Sequence, residues 1–305
     1  MSTEYIHFTT AQKEAARQTD LVALLQSQGE HLKRYGKEYV WRDGSEKVTV
    51  RGNLWFHQYE RIGGDAVDFV RRFYDMDFPQ AVNFLLGNNG GALPQAEPVK
   101  REPPKPFALP PKNDNMRRVY AYLLNRRGID REVLSAFVHR GMIYEYADYH
   151  NAVFVGYDEH GIARHAHKRG TGSESTYKGN AESCDPRYSF HWTGTDNALY
   201  LFEAPIDMLS FISLHKENWR SHSYAAACCV GDQVLFQMLK ANPNIDTVCL
   251  CMDNDTAGQA ANKRISDKLF IQGIKHEILV PEFKDWNEDL LCDEQEETEC
   301  QTLQL

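Results

Sequence analysis

The chain has 305 residues, enough for two domains at about 150 residues each, and its 42% apolar and 25% charged residues exclude wholesale disorder. No stretch approaches the roughly 18 consecutive apolar residues of a membrane span, and the opening MSTEYIHFTT lacks the basic-then-apolar layout of a secretory signal. A cytoplasmic protein with no membrane partner is expected. The formal charge of −9, taken whole, speaks against a nucleic-acid partner, but the excess is local. Residues 282–305 carry one basic and nine acidic side chains, whereas residues 98–140 carry ten basic and four acidic ones. None of the seven cysteines precedes Cys184 and no CxxC pair occurs, so reduced thiols packed as small hydrophobes are expected.

In chain order, Thr10–Gln28 has a helical pattern whose apolar residues include Leu21, Val22, Leu24 and Leu25. The alternating stretches Glu38–Trp41, Lys47–Arg51 and Leu54–Gln58 predict a small antiparallel sheet. Gly63-Gly64-Asp65 reads as a turn and helix N-cap, followed by a helix with Ala66, Val67, Phe69, Val70 and Phe73 on its apolar side. A short helix over Pro79–Leu86 closes this module. Gly87–Asn115 then holds seven of the twelve prolines, the composition of a semi-rigid spacer.

Beyond the spacer, helices are predicted at Arg117–Asn125 and Asp130–Val138, and strands at Ile143–Glu145, Ala152–Tyr157 and Ile162–His167, with Asp158–Gly161 as a hairpin turn. From Ala198 the pattern changes. The apolar runs ALYLFE, SYAAACC, TVCLCMD and HEILVPE alternate with helical stretches near 205–217, 232–241 and 257–272. Continuous apolar runs separated by helices predict buried parallel strands in a doubly wound α/β sheet.

In such a sheet, ligands sit outside the carboxyl ends of the strands. Glu203 ends the first of these runs, before Ala204-Pro205 and a helix carrying Asp207. Asp253 and Asp255 end the third, on the turn before Gly258. Alternate residues of an extended segment face the same way, so these two carboxylates can converge on one ion, with Glu203 facing the same crevice from a neighbouring strand. Hard oxygen ligands without softer ones suit Mg²⁺ or Mn²⁺. Asp285, in Lys284-Asp285-Trp286-Asn287-Glu288 after the fourth strand, extends the acidic set on one reading, while Asn287 caps the following helix on another.

The segments LYLFEAPIDMLSF and TVCLCMDNDTAGQAA resemble the two signatures of the Toprim domain, the metal-binding fold of bacterial-type primases, topoisomerases and some nucleases. The resemblance implies a general acid/base position for Glu203 and metal positions for Asp253 and Asp255. Ala204 departs from it, standing where the family usually has glycine. Residues 115–195 resemble the uncharacterised domain that precedes Toprim in proteins of mobile genetic elements, similar in layout to the basic half of a primase core. By that likeness Arg164, Lys168, Arg169 and Lys178 face nucleotide or template phosphates, while His165 and His167, which alternate with Arg164 and Lys168, are read as packed or exposed histidines rather than as ligands. Val22–Gly87 resembles the zinc-binding domain of bacterial primases, but with no cysteine before Cys184 and only His57 and Glu60 near one ligand pair, it lacks a closed zinc set. The expectation is a zinc-ribbon-like module without metal, held by aromatic packing of Tyr39, Trp41, Trp55, Phe56 and Tyr59.

The expected divisions are therefore a degenerate zinc-binding-like module at 1–87, a linker at 88–115, a basic primase-core-like α+β region at 116–196, a Toprim-type parallel sheet flanked by helices at 197–291, and an acidic tail at 292–305. The expected activity is Mg²⁺-dependent nucleotidyl or phosphoryl transfer on DNA, single-stranded or template, with NTPs and replication or mobile-element proteins as partners. A Toprim nuclease and a non-catalytic DNA-binding or assembly factor are the rivals.

Overall fold

A computed structural model describes residues 8–43, 46–60, 62–87, 105–229 and 231–293. The chain divides into two compact units at Pro103–Pro104.

The first unit opens with two helices where the periodicity predicts one, α1 (Thr10–Arg17) and α2 (Leu21–Ser27). The break is made by Asp20, whose carboxylate accepts the Ala23 N–H at 2.8 Å and starts a new helix. Strands β1 (Leu32–Tyr35), β2 (Glu38–Asp43), β3 (Glu46–Arg51), β4 (Leu54–His57) and β5 (Gly63–Gly64) form an antiparallel sheet in sequential order. Helices α3 (Ala66–Phe73) and α4 (Phe78–Leu85) follow, each begun by an aspartate capping box, from Asp65 and Asp77. Strand alternation sends Trp41, Val48, Val50 and Trp55 into the core, where Trp41 meets Phe69 at 5.3 Å and Trp55 meets Phe73 at 5.2 Å. Phe56, expected among the packing aromatics, lies on the opposite face and is exposed, because it alternates with Trp55 and His57.

In the second unit, residues 107–113 run along the strand Ile143–Glu145 rather than away from it: Asn113 N–H donates to the Glu145 carbonyl at 2.8 Å, and the Tyr144 hydroxyl to that of Pro110 at 2.6 Å. Helix α5 (Arg117–Tyr120) passes directly into a π-helical turn at Ala121–Arg126, ended by Gly128 at φ 65°. Helix α6 (Arg131–His139), capped by Asp130, leads into the antiparallel sheet β6 (Ile143–Glu145), β7 (Ala152–Tyr157), β8 (Ala163–Arg169) and β9 (Lys178–Asn180). The sequence pattern misses β9 because Lys-Gly-Asn is polar and only three residues long.

The second sheet has the order β10-β12-β11-β13-β14, with β10 (His191–Trp192) antiparallel at one edge and β11 (Ala198–Phe202), β12 (Ser223–Ala226), β13 (Thr247–Cys251) and β14 (Lys275–Ile278) parallel. Helices α7 (Pro205–Leu214), α8 (Gln233–Ala241) and α9 (Thr256–Ile271) connect them, and residues 286–293 form a last helix. Side-chain alternation serves both faces. Phe202, Tyr224, Ala226, Cys249 and Cys251 join one core, and Leu199, Leu201, Ala225, Val248 and Leu250 join another. The first of these cores also takes in Val119, Leu123, Phe137 and Phe154, so the basic region and the parallel sheet share one apolar interior.

Candidate functional site

Strands β11 and β13 lie side by side in parallel, with Phe202 opposite Cys251, so the residues that follow each strand emerge together at the carboxyl end of the sheet. Glu203, Asp207, Asp253 and Asp285 line one cleft there. The cleft is also lined by Arg127, Arg169, Lys178 and Lys284, which places four carboxylates and four cationic side chains around one space. Ala204 has φ −134° and ψ 159°, extended backbone that any residue adopts, so the family's glycine is not required at this turn.

Asp255 stands beside the cleft as the N-cap of α9, its Oδ1 accepting the Ala257 and Gly258 N–H groups at 2.9 and 2.8 Å. Gly258 is buried against the Asp253 backbone, where a Cβ would collide with the Asp253 carbonyl oxygen. The Asp-x-Asp-x-x-Gly spacing is therefore a packing requirement at this turn. Asp285 caps the last helix in the same way, accepting the Asn287 and Glu288 N–H groups at 3.1 and 2.9 Å. Asn287, which the sequence offers as the alternative cap, is buried and serves elsewhere. Its amide donates to the Arg127 carbonyl at 2.7 Å and to Ser210 Oγ at 3.0 Å, and its Oδ1 accepts from the Arg127 guanidinium at 2.9 Å.

The carboxylates raise one another's proton affinity. Burial pushes Asp253 up to about 7, helped by the charges of Glu203, Asp285 and Asp255. Burial likewise drives Asp207 well above the ordinary carboxylate range, reinforced by Asp253, Asp285 and Glu203. Glu203 is raised by burial and by Asp255 and Asp285, against the opposing charges of Lys178 and Lys284. Asp253 Oδ1 is buried without a hydrogen-bond partner. Crowded carboxylates with an unpartnered oxygen are the donor chemistry of a hard divalent cation site. Among the described residues, however, no three His, Cys, Asp or Glu side chains stand close enough together to hold a metal ion as they are.

The structure divides the basic residues expected at the site. Arg169 and Lys178 reach the cleft, but Arg164 and Lys168 do not line it. Arg164 pairs with Asp158 at 2.7 Å, and the Lys168 ammonium lies 6.0 Å from the Tyr177 ring centre. Lys168 adjoins Arg169 on β8 and so projects from the other face, and Arg164 lies at a β-bulge, between the Gly156–His165 and Tyr157–Ala163 pairs. His165 and His167 are both buried, and His167 holds Asn180 Oδ1 at 2.7 Å in the cleft wall. Arg127, Lys284 and Asp207 are the charged cleft residues that sequence reasoning left unassigned. The Asp207 signal was available, as an acidic residue one turn into an otherwise apolar helix. Arg127 carried none, since only the π turn and Gly128 bring it round. In the first unit, His57 is buried with Nε2 on the Glu46 carboxylate and Nδ1 accepting the Glu60 N–H at 3.0 Å, while the Glu60 carboxylate pairs with Arg72 at 2.7 Å.

Residues 200–290 match the family model described as Toprim-like, and residues 121–196 match one described as a protein of unknown function, DUF3991. The C-terminal part of the chain thus carries a Toprim-like domain. An uncharacterized Bacillus anthracis protein designated pXO2-78 is 25% identical over 274 residues, which are 85% of this chain and 79% of the relative. Among solved structures, the zinc-binding and RNA polymerase domains of the Aquifex aeolicus primase align with 96% of this chain and 84% of their own, at 16% identity and a TM-score of 0.40. The primase fragment of the bacteriophage T7 primase-helicase aligns with 59% of this chain and 73% of its own, at 20% identity and a TM-score of 0.42.

Proposed function

We propose that the protein is a primase-like enzyme that acts on DNA in the replication or transfer of a mobile element, joining nucleotides by metal-dependent nucleotidyl transfer. One observation carries the reading: four carboxylates and four cationic side chains line a single cleft at the carboxyl end of the Toprim-like sheet. The designation pXO2 of its relative is consistent with a plasmid setting.

Asp253 and Asp255, with Glu203 and Asp285 beside them, would hold Mg²⁺ or Mn²⁺. The ion would neutralise phosphate charge and lower the pKa of an attacking hydroxyl. The remaining work falls to the side chains. Arg127, Arg169, Lys178 and Lys284 bind and orient the phosphates of template or NTP through charge-assisted hydrogen bonds. Glu203, with its raised proton affinity, takes the proton of the incoming hydroxyl. Phe154 and Ile206, also in the cleft lining, exclude water from one side of the reacting groups.

Labelled DNA incubated with Mg²⁺, with and without NTPs, tests this reading. Extended products that need NTPs are expected. The pair Asp253→Asn with Asp255→Asn should cut their formation by about three orders of magnitude or more. A double variant as active as wild type would remove the catalytic assignment. Shortened products independent of NTPs would mark a nuclease, and DNA binding indifferent to Mg²⁺ without any product would mark an assembly factor.

A further inference from the structure

The parallel sheet ends on β14, and among the described residues nothing pairs with its outer edge. The chain on either side of β14 carries several exposed large apolar side chains. Phe270 is 80% exposed and Ile271 82%, and Ile278, Val280 and Phe283 are exposed as well. An unpaired edge flanked by exposed apolar side chains is a template for another strand.

Backbone parity restricts how such a strand can pair. Leu279 N–H donates to the Leu250 carbonyl at 2.9 Å, so the odd-numbered residues of β14 turn their backbone groups to β13. His276 and Ile278 therefore present their N–H and C=O outward. An antiparallel neighbour must form its hydrogen-bonded pairs at these even positions. For a second copy of the same strand, this leaves a small set of registers. Centring on Glu277 sets two like charges opposite each other. Centring on Ile278 sets Glu277 opposite Leu279. Centring on His276 sets Lys275 opposite Glu277 of the second copy, twice, and Ile274 opposite Ile278, twice; the backbone exchange is then made at the His276 pair, because the Ile274 N–H already donates to the Leu269 carbonyl at 2.9 Å and the Ile274 carbonyl accepts from His276 Nδ1 at 3.0 Å, leaving side-chain contact at the Ile274–Ile278 pairs. The segment Ile-Lys-His-Glu-Ile, residues 274–278, is thus self-complementary when read antiparallel to itself. Lys275 and Glu277 share the sheet face on which Glu277 accepts from Cys249 Sγ at 3.1 Å, so both cross-strand ion pairs form on one side. They occupy non-hydrogen-bonded positions, where opposed side chains approach most closely.

We propose that the protein forms a twofold dimer in which β14 of two copies pair antiparallel about His276, joining their parallel sheets across a continuous edge. The occupant of the edge is a second copy because the charge and apolar patterns of the strand complement themselves, and other registers lose that match.

Sedimentation equilibrium of the full chain tests this. The wild type should dimerise reversibly. Lys275→Glu and Glu277→Lys each place like charges opposite one another at both pairs, and each should weaken the dimer about tenfold. The swap K275E/E277K restores the pairing and should restore the wild-type dissociation constant. His276→Pro removes an outward N–H without touching the bonds to β13, and should abolish dimerisation while circular dichroism stays native. Four results would overturn the proposal: a monomeric wild type, a chain that dimerises only after residues 294–305 are removed, a dimer indifferent to the single reversals, or a swap that fails to restore it.

Discussion

Asp207 lies in the first turn of α7, a helix buried on nearly every side, with Asp253, Asp285 and Glu203 as charged neighbours. An acid with raised folded-state proton affinity supports the fold at pH below its unfolded value. That support is lost as pH climbs through the folded value, which for Asp253 is about 7. In metal-free buffer above neutrality, Asp207→Asn should therefore raise the melting temperature, and it should blunt the further rise that Mg²⁺ gives the wild type; thermal scans with and without Mg²⁺ measure both. His167 has the opposite sign. Burial, with Arg169 and Lys178 nearby, pulls it down to about 4 despite its bond to Asn180. Unfolding gains a proton between that value and the ordinary 6.5, so stability is full above pH 6.5 and falls by about 3 kcal/mol as pH drops to 4. Denaturant midpoints across this window should flatten in His167→Gln. Both residues have sequence neighbours that hint at burial, but their proton affinities depend in part on groups more than ten positions away, Asp253 and Asp285 for Asp207 and Asn180 and Lys178 for His167, which no local pattern encodes.

At the scale of elements, helix starts were the best-marked features and strand lengths the worst. Asp65 announces α3 through the preceding Gly-Gly, and Asp130 announces α6. Asp20 escaped notice because the apolar periodicity of Leu21–Leu25 continues smoothly from Thr10. Asp20→Ala should destabilise the first unit by about 1 kcal/mol, read from urea midpoints, by leaving the first N–H groups of α2 without an acceptor. The short strands β9 and β10 have no alternation to recognise and exist only because β8 and β12 accept them. Helix α6 is fastened by Phe137, which meets Phe190 at 5.3 Å, Trp192 at 5.1 Å and Trp219 at 5.8 Å. Phe137→Ala should cost about 3–5 kcal/mol. Because its partners lie in both family-matched segments, their unfolding should remain a single transition at a lower midpoint.

For the whole molecule, the net charge of −9 is an average over regions that behave differently. The cationic side of the cleft draws its members from far apart in the chain, at positions 127, 169, 178 and 284. DNA affinity should accordingly fall with rising salt, and Lys178→Ala with Arg169→Ala should reduce the slope of log affinity against log salt by about 2. Arg164→Ala, already committed to Asp158, should change it little. Fluorescence anisotropy over a salt series decides between these outcomes. The second unit has its own cores, and residues 104–305 alone should fold and keep the Mg²⁺-dependent thermal shift.

The sequence by itself determined the alternation of buried strands and helices after Ala198, and with it the placing of Glu203, Asp253 and Asp255 at strand ends. Apolar runs and their spacing are local properties, and the strand-end position of a carboxylate follows from them directly. Only the tertiary structure decided which charges share the cleft. Arg169 enters it and Lys168 does not because adjacent residues on β8 face opposite ways. Arg127 and Lys284 enter because the shared core folds the π turn and the β14 loop over the same strand ends. Tertiary structure also decided what Asn287 does, since a buried amide takes whatever partners packing brings to it, and here those are Arg127 and Ser210.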